Sequence, residues 1–96
     1  MRYLVRLKGS NFLLRPGLKE YRDDQLFGFF TTRVVTAATP SEAEAEAIRR
    51  INRELKRLRI STLPSNPPLV RVESSETTAA TRDAGEGFTW FPQLDE

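Results

Sequence analysis

The sequence predicts a two-layer α+β domain: a mostly antiparallel sheet of about four strands, in chain order β-β-α-β-β, with one amphipathic helix on one face. Three observations carry this. The stretches "RYLVRLKG" and "LFGFFTTRVVTAAT" have strand composition, "TPSEAEAEAIRRINRELKRLRI" repeats apolar residues at helical spacing, and two shorter extended segments follow a proline-rich break. With 96 residues there is material for one small domain, residues 1–96, and none for a second core.

In "RYLVRLKG" Tyr3, Val5 and Leu7 fall on one side and Arg2, Arg6 and Lys8 on the other, the mark of a half-buried strand. Gly9, Ser10 and Asn11 then invite a turn or a bulge. "FLLRPGLKEYRDDQ" reads as a turn and solvated loop, with Phe12 to Leu14 pinned to the core. "LFGFFTTRVVTAAT" is rich in phenylalanine, threonine and valine, and both of its faces carry apolar groups, so it is expected to be a central strand.

Thr39 or Ser41 can cap the helix, with Ser41 and Glu44 at the spacing of a capping box. Ala47, Ile48, Ile51, Leu55 and Leu58 then form one apolar stripe. "STLPSNPP" ends the helix with three prolines. "LVRVES" is the third strand, residues 75–87 are small and polar and read as a flexible loop, and "FTWFP" is the fourth strand. The sole tryptophan, Trp90, either closes the core there or stands out as an aromatic hook for a partner.

Composition removes most enzyme chemistry. The chain has no histidine and no cysteine, the usual sources of acid–base groups and metal ligands, and no disulfide can form. Glu42 and Glu46 on one helix face read as first-turn acids favoured by the macrodipole, and Asp23 with Asp24 as a solvated loop pair. No phosphate-cradling glycine loop occurs, and "RDAGEG" reads as a linker, not a cation loop. The expectation is a protein with no catalytic residues, no cofactor and no metal. An alternating N-terminus and the lack of any long apolar run predict a soluble, cytoplasmic protein.

Arginine outnumbers lysine twelve to three, yet the net charge is only +2. The helix runs from acid at its start to Arg49, Arg50, Arg53, Lys56, Arg57 and Arg59 at its end, which the dipole favours without any ligand. No aromatic residue is interleaved for base stacking, so this charge reads as structural. The sheet is the better candidate surface. One helix covers one face; with Tyr3, Val5, Leu7, Phe30, Val34, Val70 and Val72 turned to it, Arg2, Arg6, Lys8, Phe29, Thr31, Arg33, Val35 and Arg71 are left on the open face. The expected interface therefore comprises Arg2, Arg6, Lys8, Phe29, Arg33, Val35, Arg71 and Trp90, taking protein, in the first place a second copy as a homodimer. Single-stranded nucleic acid on the same face is the alternative.

"RYLVRLKGSNFLL", "FGFFTTRVVTAATPSEAEAEA" and "GFTWFP" together resemble a group of short, uncharacterised bacterial proteins with this strand, helix and aromatic-tail layout. The resemblance implies a stand-alone bacterial α+β protein and no particular function. The strand leading into "TPSEAEAEA" is also similar to small antitoxin-type domains, but that family's proline-glycine motif at the strand end is missing.

Overall fold

A computed structural model describes residues 1–13, 25–58, 60, 62, 67–79 and 87–93. The expected "RPG" turn, the Asp23–Asp24 pair, most of "STLPSNPP" and residues 80–86 of the expected loop lie outside the described residues. The elements are β1 (Arg2–Leu13), β2 (Leu26–Thr36), α1 (Pro40–Arg57), β3 (Leu69–Thr77) and β4 (Thr89–Pro92), the β-β-α-β-β order of an α+β fold. Across the sheet the order is β3-β1-β2-β4, with every neighbouring pair antiparallel. Strands β2 and β3 both run against β1, so α1 joins two parallel strands and crosses over the one between them.

Strand β1 does not turn at Gly9. It bulges between Gly9 and Phe12, with Asn11 at φ 68°, and pairing resumes at Phe12 with Phe27. Asparagine is among the few side chains that adopt this left-handed geometry readily. The bulge shifts the alternation by one residue, so that Phe12 joins Tyr3, Val5 and Leu7 in the core. A second bulge, opposite Arg6 and Leu7, lies in β3 at Glu73, and β3 continues through Thr77, three residues into the stretch expected to be loop.

Helix α1 begins at Thr39, whose Oγ1 accepts from the Glu42 amide at 3.2 Å, with Pro40 opening the first turn. The Glu42 carboxylate reaches back to the Ala38 amide at 3.3 Å. The cap is thus Thr39 with Glu42, not Ser41 with Glu44; Glu44 instead accepts from the Ser75 hydroxyl on β3 at 3.0 Å. Ala43, Ala47, Ile51 and Leu55 are buried against the sheet, and Ile48 packs at their margin. Fully burying side chains such as Ile51 and Leu55 contributes about 1.5–3 kcal/mol each. Leu58, expected in this stripe, is the C-cap and is half exposed, because the helix ends there.

The faces of β2 are the reverse of those expected. Directly opposed residues of paired strands share a face, and the register sets Val35 against Tyr3, Arg33 against Val5, Thr31 against Leu7 and Phe29 against Gly9. The buried row of β1 therefore carries Phe29, Thr31, Arg33 and Val35 inward, all of them buried, and leaves Phe30 and Val34 on the open face. Phe29 fits because its ring lies where a Gly9 side chain would otherwise be. Trp90, opposite Phe29 on β4, turns the same way and packs edge-on to Phe29 and Phe12, at centroid distances of 5.3 and 6.2 Å. It closes the core and is not an exposed hook.

Candidate binding surface on the open sheet face

Arg33 is the residue that most misleads a reading of β2, since a charged side chain ordinarily marks the wet face. Here it is 3% exposed and fully engaged. Its Nη2 donates to both carboxylate oxygens of Glu54 at 3.0 Å and its Nε to Glu54 Oε2 at 3.2 Å, while Nη1 bonds Thr31 Oγ1 and the Thr32 carbonyl. Phe88 lies against the guanidinium, 5.5 Å from ring centre to Cζ. A bidentate, charge-assisted fork of this kind offsets the cost of burying the cation. Arg33 thus pins sheet to helix and offers nothing to a partner.

On the outer face the alternation brings up Arg2, Leu4, Arg6 and Lys8 from β1, Gly28, Phe30, Thr32 and Val34 from β2, and Leu69 and Arg71 from β3. From β4 comes Phe91, paired with Gly28, over whose missing side chain its ring lies. Phe30 and Phe91 meet at 5.0 Å between centroids and 31° between planes. Lys8 Nζ sits 5.6 Å from the centre of one ring and 5.9 Å from the other, a cation held over two aromatic faces. Arg6 bonds Glu76 at 2.9 Å and Ser74 at 3.3 Å, and Arg71 pairs with Glu73 at 3.3 Å. Of these, Arg6, Lys8, Phe30, Thr32, Arg71 and Glu73 line, with Gly87 to Thr89, a shallow recess of about 710 Å³.

Of the eight residues expected to form the interface, Arg2, Arg6, Lys8 and Arg71 come together on this face, while Phe29, Arg33, Val35 and Trp90 face the core. Phe30 and Phe91 take their place. The signal for them is in the sequence: Gly28 alternates with Phe30 on the even side of β2, and a glycine in a strand marks a close approach by something else.

Within the recess the Thr31 hydroxyl donates to the Gly87 carbonyl at 2.7 Å and Glu73 is held by Arg71 at 3.3 Å. Among the described residues no three acidic side chains gather closely enough to hold a metal ion, and no helix is long and apolar enough to cross a membrane. Compared with family models, curated proteins and solved structures, the chain matches none.

Proposed function

We propose that the chain is a non-enzymatic, cytoplasmic protein-binding domain that associates with a second copy of itself through the open face of its sheet. The supporting observation is the Phe30–Phe91 pair, with Phe30 48% exposed at the middle of that face. An aromatic centre beside arginines with carboxylate partners is interface composition, and monomers rarely keep such a patch without a use. Because the rim carries both signs, a two-fold-related copy can exchange Arg6 and Arg71 for its own against Glu73 and Glu76. Four strands about 4.8 Å apart, over about eight residues of about 3.4 Å each, span about 500 Å². That falls short of the roughly 800 Å² per partner of a standard interface. The dimer is therefore weak and depends on concentration.

Arg2, Arg6, Lys8 and Arg71 outnumber Glu73 and Glu76 on this face, so two copies repel each other and association strengthens as salt screens them. Single-stranded nucleic acid is favoured instead by one observation, Lys8 lying over stacked aromatic rings. Its salt dependence has the opposite sign, since counterions compete for phosphate contacts. Light scattering across protein and salt concentration separates the two. Dimer formation that grows with salt and disappears in Phe30→Lys, with the circular dichroism unchanged, supports the proposal. A monomer under every condition removes it, and salt-weakened retention on a single-stranded oligonucleotide puts nucleic acid in its place.

A further inference from the structure

A second concave site lies on one flank of α1, where the helix passes beside β2: a recess of about 290 Å³ lined by Arg33, Arg50, Arg53, Glu54 and Arg57. At about 30 Å³ per molecule this holds roughly ten waters, room for a hydrated oxyanion. Two of its four guanidiniums are committed. Arg33 holds Glu54 and so cancels the single carboxylate lining the site, and Arg50 donates to the Val34 carbonyl at 3.2 Å with Glu46 3.6 Å away. Arg53 and Arg57 have no ion-pair partner among the described residues. They are four apart, where like charges destabilise a helix.

Helix electrostatics accounts for only part of this. The macrodipole acts within the last turn, which holds Lys56 and Arg57, and Arg53 stands before it. The acids of α1 that would balance this flank are already taken, Glu46 by Arg49 and Arg50 and Glu54 by Arg33. We infer that this recess binds a phosphate group, with the Arg53 and Arg57 guanidiniums as its forked donors and Arg50 as the third cation. Two arginines presenting planar donor forks match the oxygens of a phosphate dianion. The rigid Arg33–Glu54 fork fixes the wall against which they close. Nothing in this depends on the open sheet face.

The test is a titration with inorganic phosphate, followed by the arginine Nε–Hε resonances in ¹⁵N NMR, with chloride holding ionic strength constant. Saturable shifts are expected at Arg50, Arg53 and Arg57, with Arg6 and Arg71 unmoved. In the double variant Arg53→Gln, Arg57→Gln saturation is lost, while the Arg33 resonance keeps its position and reports an intact helix–sheet junction. Shifts that rise linearly and equally with chloride overturn the inference, as do saturable shifts that persist in the double variant. A single-stranded oligonucleotide competing at the same resonances identifies the phosphate source as a nucleic-acid backbone; absence of competition identifies a free or small-molecule phosphate.

Discussion

On the inner face of the sheet the Phe29 ring occupies the space above Gly9, and on the outer face the Phe91 ring occupies the space above Gly28. The local device is the same, yet Phe29 is 0% exposed, whereas Phe91 is only half-buried and its neighbour Phe30 is 48% exposed. What differs is the second layer. Phe12, Phe88 and Trp90 enclose Phe29 under the helix, whereas over the outer pair lies the Lys8 ammonium. Aromatic–glycine stacking therefore positions rings on both faces, and coverage alone makes one of them core and the other surface.

Matched substitutions on the two faces test that contrast. Phe29→Ala empties a fully enclosed site and is expected to cost about 3–5 kcal/mol in urea unfolding; Phe30→Ala should cost less than about 1 kcal/mol. Equal losses would mean the outer ring is covered in solution.

Arginines make the next pair. Arg33→Met strands the Glu54 carboxylate, which is partly wetted at 38% exposure, so a loss of about 1–3 kcal/mol is expected. Adding Glu54→Leu should recover part of it, the signature of coupling in a double-mutant cycle. Arg71→Met breaks an exposed pair on the outer face and should change stability by less than about 1 kcal/mol.

Glycine substitutions sharpen the ranking further. Gly9→Ala drives a methyl into the immobile Phe29 ring and should cost about 1–3 kcal/mol. Gly28→Ala meets Phe91, which can swing towards solvent, and also the Gly9 carbonyl, so its cost should be smaller but not zero. A larger loss at Gly28 would show Phe91 to be the more tightly held ring.

The smallest effect belongs to the helix surface, away from both faces. The Arg49 guanidinium hydrogen-bonded to Glu46 holds that carboxyl below its ordinary value, with the charges of Arg49, Arg50 and Arg53 adding to it. A carboxyl lowered in the folded state contributes stability above its unfolded pKa, and loses it as pH falls through the folded one. Melting temperature should therefore drop slightly less on acidification in Glu46→Gln than in the parent chain. An identical acid limb would show that this exposed network contributes nothing.

The faces of β1 are legible because Arg2, Arg6 and Lys8 mark one side despite Leu4 among them, leaving one arrangement with Tyr3, Val5 and Leu7 inside. Strand β2 offers no such contrast. Phenylalanine, threonine and valine occur on both of its sides, and the one charge, Arg33, points to the wrong answer because its partner Glu54 lies on another element. Register decides the matter, and register is a property of two strands together. The helix start was legible to within two residues, the cap going to Thr39 because Pro40 fits the first helical position. Half of the candidate surface, the cations of β1 and β3, was legible for the same reason that β1 was; Phe30 followed β2 to the other face.

Asn11 carries a consequence for the order in which the molecule is assembled. Its amide donates to Gln93 Oε1 at 2.6 Å, Gln93 Nε2 donates back to Asn11 Oδ1 at 3.1 Å, and Asn11 Nδ2 donates to the Pro67 carbonyl at 3.1 Å. One residue in the first strand thus latches the approach to β3 and the exit from β4, the two opposite borders of the sheet, across 82 positions of sequence in the second case. In synthesis β1, β2 and α1 are made well before Gln93, so Phe12 is available to Phe29 early and Phe88 and Trp90 only late. The Asn11–Gln93 pair can therefore close only after β4 has been made, and its closure marks that strand as joined to the sheet.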